Sequence, residues 1–305
     1  MELPPAFGLG RLASTAPSLI GTLILLAVLT TYLVGVGRYR LVVGRRWSTK
    51  RSLSFVVGIA IVALATQSVV GVYDMTLFAD HMVQHLLLIM IAAGFFAMAA
   101  PLELASETIP GQSGRLLNGL LRSRAAGVIG HPIVGFLLYA VFIPLTHLTG
   151  LFNLMLEHMW VHHLEQLGFL IIGYLFWRPV VGIEPSRHPL APGLRLVYLA
   201  LAVPVDTFTG LALVMAGHEP FSAYVAMHRS WGPSLLDDLK TGGSIMWIGG
   251  DLLMMLAMIP VTVGWVRDEE AKTKILDARL DAEAAAEAAD AARQSAIAPP
   301  GSAAS

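Results

Sequence analysis

Seven apolar stretches, each long enough to cross a bilayer, decide what this chain can fold into. A helix needs about 20 predominantly apolar residues to span the hydrocarbon core. Such stretches fall near 17–37, 53–72, 81–102, 129–148, 158–177, 194–216 and 243–266. Composition agrees with them: 55% of the residues are hydrophobic and 13% charged, with a mean hydropathy of +0.68. A soluble domain carries about 25% charged residues, so apolar surface on this scale is buried only against lipid. The fold expected is all-α: a polytopic, seven-helix transmembrane bundle occupying residues 1–266. The first stretch lacks a basic leader and an A-x-A cleavage site, and further spans follow, so it reads as a retained helix.

Lysine and arginine set the orientation, because cytoplasmic loops collect them. One side holds six between Arg38 and Arg51, three each in segments 101–128 and 178–195, and five after the seventh stretch. The other side has only Arg11, Arg229 and Lys240, a split of 17 to 3. The expected topology is therefore N-terminus out and C-terminus in. Residues 267–305 form a second region: a charged, Ala-rich cytoplasmic helix to about Arg293 with pairs such as Glu270 and Lys274 at helical spacing, then a disordered end. The net charge of -1 comes without any basic stripe, so nucleic acid is not an expected partner.

There is no cysteine, which excludes disulfides, thiolate metal sites and thiol nucleophiles. Metal chemistry would have to use His, Met, Asp or Glu. Given the orientation, His81, His85, His147, His158, His162, His163, His218 and His228 fall at outer span ends or in outer loops, and only His131 and His188 fall on the cytoplasmic side. Two short runs share the pattern acid-His-Met-x-x-His: Asp80 to His85 and Glu157 to His162. Residues four apart share a helix face, so each run offers two imidazoles to one point at one membrane depth. Ionisable groups inside a span usually face the bundle interior, which adds Asp206, Asp251 and His147. The candidate metal ligands are thus His81, His85, His147, His158, His162 and Asp206. His163, His218 and His228 read as loop or off-face residues, and His131 and His188, each before a proline, as structural. Imidazole suits several metals while thioether favours Cu(I). Seven methionines on the outer half, among them Met75, Met82, Met159 and Met227, lean toward copper, although Met is also ordinary apolar filler.

The run His81-Met82-Val83-Gln84-His85-Leu86-Leu87-Leu88, followed by Ala100-Pro101-Leu102, resembles the signature of the CtaG family of bacterial cytochrome c oxidase assembly factors. His131-Pro132, Gly173 to Trp177, Gly182-Ile183-Glu184-Pro185, Gly242 to Trp247 and Gly250-Asp251 extend the resemblance over about residues 53–266. It implies a multi-pass protein of the bacterial cell (inner) membrane that binds copper and helps deliver it to the oxidase. The partners it implies are cytochrome c oxidase subunits or copper carrier proteins, within the lipid bilayer, and it implies no enzymatic activity. This chain departs from the pattern at Gln166 and Asp206, where many members carry His, and in Ile89 to Gly94, which lacks prolines common there. Two other functions stay open from the residues alone. One is a seven-span intramembrane metal-dependent hydrolase using zinc, although His162-His163-Leu164-Glu165 has the wrong order for His-Glu-x-x-His. The other is a membrane protein with bis-His haem ligation.

Overall fold

The computed structural model describes residues 3–6 and 18–297, and every regular element among them is helical. In chain order these are α1 (Leu19–Val43), α2 (Thr49–Gln67), α3 (Val69–Tyr73), α4 (Phe78–Leu86), α5 (Ala93–Ala99), α6 (Pro101–Thr108), α7 (Gly111–Leu121) and α8 (Arg124–Ile129). There follow α9 (Pro132–His147), α10 (Leu151–Glu157), α11 (Met159–Val181), α12 (Pro192–Val214), α13 (Ser222–Ala226), α14 (Leu235–Ser244) and α15 (Gly250–Ile297). Two π-helical turns, Leu87–Ala92 and Ile245–Gly249, join α4 to α5 and α14 to α15.

Six continuous helical segments are long and apolar enough to cross a membrane: Leu19–Val43, Thr49–Tyr73, Phe78–Thr108, Met159–Val181, Pro192–Val214 and Leu235–Arg293. The stretch expected at 129–148 behaves differently. Its helix α9 ends at His147 and the chain bends by 67° into α10, so a seventh crossing exists only if this bent pair counts as one. Gly150, at the α10 cap, stands at the bend. The last helix runs unbroken to Ile297, and its 48 residues extend about 72 Å at 1.5 Å per residue. Beyond Arg267 its described side chains are exposed, and a Lys272–Glu269 ion pair of 2.8 Å stands where Glu270–Lys274 was the spacing singled out. The Ala/Pro/Ser end after Ile297 and Arg11 lie outside the described residues.

Two close backbone approaches hold neighbouring helices together. A Cβ on Gly173 of α11 would meet the Ile89 carbonyl oxygen at 2.7 Å, and one on Gly210 of α12 would meet that of Gly243 at 2.6 Å. Small residues let membrane helices pack backbone to backbone in this way. The π turn at Leu87–Ala92 leaves backbone carbonyls out of register, and the Trp177 indole donates to one of them, Ile89 O, at 2.9 Å. The N-terminus of α4 is capped from a distant element. The Asp238 carboxylate of α14 accepts from Phe78 N at 3.0 Å and Ala79 N at 3.1 Å, and Arg229 holds the same carboxylate at 3.4 Å. At the other end of this segment, Ala100 takes a left-handed φ of 52° before Pro101 opens α6.

Candidate metal centre

Buried imidazoles and carboxylates meet where α4, α9 and α11 face one another. His81, His85, His147, His162, Glu165 and Asp74 are each at most 5% exposed. His81 and His85 lie one turn apart in α4 with ring centroids 4.3 Å apart, and His81 and His162 are 5.2 Å apart. Glu165 sits at the middle. Its carboxylate lies 3.5 Å from His81 Nε2, 3.1 Å from His85 Nε2 and 3.4 Å from His162 Nδ1.

The outer partners of His81, His147 and His85 fix where the Nδ1 protons sit. A carbonyl oxygen only accepts, so His81 Nδ1, 3.0 Å from Asp74 O, must carry its proton. His147 Nδ1 lies 2.8 Å from Ile143 O and donates likewise, which leaves His147 Nε2 as an acceptor. His85 Nδ1 then donates to it across 3.1 Å. His162 Nε2 lies 2.9 Å from the Gln166 amide nitrogen and 3.2 Å from Asp74 Oδ2, a carboxylate that accepts from the Gln84 amide at 2.6 Å. The inward nitrogens are His81 Nε2, His85 Nε2 and His162 Nδ1; the first two present lone pairs to Glu165 when their rings are neutral and donate to it when protonated. All three, with both Glu165 oxygens, are buried without a hydrogen-bond partner. Neutral rings facing one carboxylate leave a concentration of lone pairs that either a ring proton or a bound cation relieves. His81, His85 and Glu165 each bring a ligand atom within 4.8 Å of the others, a spacing that suits ligands at about 2.0–2.2 Å from one ion.

The structure sorts the sequence-derived candidates into three groups. His81 and His85 form the metal-spaced group with Glu165, and His162 Nδ1 stands 3.4 Å from the same carboxylate. His147 stands behind His85, orienting it as an outer-shell partner. Asp206 is 2% exposed and lies farther in, accepting from the Tyr139 hydroxyl at 2.7 and 2.6 Å, across a cavity of about 10 Å³ that His85 and His147 also line. His158 stays outside. It is exposed and occupies the N-cap of α11 with φ -129° and ψ 105°, because the helix begins at Met159. An extended residue does not share the helix face of a residue four positions on, so the expected His158/His162 pair does not form. His163, His218 and His228 are exposed, and His131 caps α9 through its Nδ1, with its ring beside that of His188 at 4.5 Å.

Two central residues escaped the sequence reading. Glu165 lies three positions after His162, so helical spacing alone could have put it on the same face. Asp74 caps the five-residue α3, and no periodicity marks such a position. The two positions where many family members carry His both border the cluster: the Gln166 amide lies 2.9 Å from His162 Nε2 and 3.2 Å from Gln84 Oε1, and Asp206 lies beyond His85. A second buried carboxylate has a structural task. Glu184 accepts from Leu102 N at 2.9 Å, from Tyr174 and from Arg178, tying the Gly182–Pro185 run to the start of α6.

One family model, described as the cytochrome c oxidase caa3 assembly factor, matches residues 30–268. Uncharacterised proteins of Mycobacterium bovis and Mycobacterium tuberculosis are each 27% identical over 248 residues, covering 79% of this chain and 38% of their own length. One of Mycobacterium leprae is 26% identical over 262 residues, covering 83% of this chain and 39% of its own. The chain thus spans about two-fifths of the length of these curated relatives. No solved structure is a significant match.

Proposed function

The chain belongs to the family of cytochrome c oxidase caa3 assembly factors, and from that premise we propose that it binds copper in the membrane and helps deliver it to the oxidase. In this reading it is a multi-pass protein of the bacterial inner membrane with seven crossings, N-terminus out and C-terminus in. The copper is cargo, and the partners are oxidase subunits or a copper carrier. The observation that carries the reading is the buried group of His81, His85 and Glu165, each bringing a ligand atom within 4.8 Å of the others. Such a donor set holds a metal ion with its outer hydrogen bonds already in place. Burial in a protein interior keeps water from competing for the ion.

Glu165 supports a second reading. Imidazoles beside a carboxylate also suit zinc, and a hydrolytic zinc site uses this donor chemistry. Elemental analysis of the purified chain distinguishes the two, and an optical spectrum tests the haem alternative through its Soret band. The copper reading expects about one copper per chain, lost in His81→Ala/His85→Ala. Zinc in wild-type protein with no uptake of offered copper overturns it.

A further inference from the structure

Between the apolar segment that ends at Thr108 and the start of α9 at Pro132, the chain forms two short helices, α7 and α8. Both neighbouring segments are apolar enough to enter a bilayer, so this connection lies where hydrocarbon gives way to headgroups. Three stripes run along α7. Gly114 is buried and Leu117 and Leu121 are half-buried, facing the bundle, and the Asn118 amide donates to Ser106 O at 3.0 Å, which holds α7 along the end of α6. Leu116 and Leu120, one turn apart, are 67% and 63% exposed, so nothing in the described chain covers them. Arg115 and Arg122, two turns apart, form the third stripe, roughly a third of a turn from the leucines.

Exposed leucines alone mean little; the charge beside these two sets them apart. No Asp or Glu occurs between Glu107 and Glu157. Arg187, from the loop after α11, donates to Arg122 O, and its Nη1 lies 3.0 Å from where a Cβ on Gly127 would stand. Gly127 shares a face of α8 with Arg124, three residues before it. Arg122, Arg124 and Arg187 thus gather at the α7–α8 junction from two loops, with Arg115 on the same face of α7 as Arg122. Among the described residues none of the four is in an ion pair. Glu184, in the same loop as Arg187, is already engaged by Arg178 and Tyr174.

We propose that α7 and α8 lie in the plane of the bilayer and hold an anionic phospholipid, its phosphate on these arginines and its acyl chains against Leu116 and Leu120. An in-plane helix takes this form, with an apolar stripe toward the acyl chains and cations at the headgroups. A guanidinium matches phosphate through two parallel N–H donors. In a zwitterionic lipid the headgroup's own ammonium offsets the phosphate, and free phosphate gains nothing from the leucines. The inference does not depend on copper.

The test uses the full chain purified in detergent and offered phosphatidylglycerol or phosphatidylcholine with the same acyl chains, with retained lipid counted by native mass spectrometry. Phosphatidylglycerol is expected to be held at least about tenfold more tightly, since each arginine at the surface adds to the attraction for an anionic lipid. Arg115→Gln/Arg122→Gln/Arg124→Gln is expected to lower the number of phosphatidylglycerol molecules retained per chain, while Arg279→Gln, far out on the exposed tail, leaves it unchanged. Inorganic phosphate in large excess is expected not to displace the lipid. The chain has no cysteine, so Leu116→Cys and Arg115→Cys each give a single spin-label position and keep the test valid if the triple variant does not fold. In vesicles of the two lipids, the label at position 116 is expected to meet oxygen dissolved in the hydrocarbon more than a water-soluble nickel chelate, and the label at position 115 the reverse. Equal retention of the two lipids, a count that survives the triple variant, displacement by phosphate, or a label at position 116 as open to the chelate as that at 115 overturns the proposal.

Discussion

His81 and His85 are separated by a single turn inside α4, and each has its Nδ1 proton engaged, by Asp74 O and by His147 Nε2. That engagement leaves both Nε2 atoms free to point at Glu165. The pair was legible in the sequence because both residues lie well within one helix, where four-residue spacing means a shared face. The second pair failed by one residue: α11 starts at Met159, so His158 is a cap and its side chain is exposed. The consequence is measurable. His162→Ala is expected to cost metal affinity at least the 10–100-fold that loss of an outer-shell partner costs, and His158→Ala to change it less than about twofold, as an exposed residue outside the donor set. Equal losses in a competition titration would return His158 to the site. The Gln166 amide, 2.9 Å from His162 Nε2, borders the same cluster. Replacement by His there supplies a further imidazole, and Gln166→His is expected to tighten Cu(I) binding in the same titration, because imidazole is a better ligand than a carboxamide.

At the scale of elements, hydropathy located the helices but not their interruptions. A window of apolar residues looks the same whether its backbone runs as α-helix, opens into a π turn at Leu87–Ala92, or bends 67° after His147. Those interruptions are decided by tertiary partners such as the Trp177 indole on Ile89 O, and π turns recur at functional sites. Caps supplied from distant elements were equally hidden, since Asp238 caps α4 across 160 residues and Glu184 caps α6 across 82. Glu184 is 5% exposed and accepts from two helix elements and from Arg178. Removing one member of a buried ion pair costs about 3–5 kcal/mol because the other charge is left uncompensated. Glu184→Ala is therefore expected to lower the thermal unfolding temperature in detergent by several degrees. Metal stoichiometry should be retained in whatever fraction stays folded, since Glu184 is not among the groups facing the centre. A variant with unchanged unfolding would show that the cap contributes nothing to stability.

At the scale of the whole molecule, the sign of every functional statement depends on which side the histidines face. The 17-to-3 division of Lys and Arg predicts a cytoplasmic C-terminus, so a reporter joined after Ser305 is expected to be active only in its cytoplasmic form. Periplasmic-type activity of that fusion would overturn the predicted orientation and, with it, the expectation that the histidine cluster opens to the outer side. With the predicted orientation, the proposed copper reading leads to one physiological expectation. Loss of the chain lowers cytochrome oxidase activity by depriving the enzyme of copper, while its subunits are still made. The double variant His81→Ala/His85→Ala should reproduce the deletion, because it removes two of the inward nitrogens and leaves the helices otherwise in place. Raising copper in the medium should restore part of the activity by mass action on unassisted insertion, which a defect in subunit synthesis would not allow. The deciding measurement is the copper content of oxidase purified from the double variant. A full complement of copper there would mean that the buried centre serves some other end, and the donor set around Glu165 would then point to zinc.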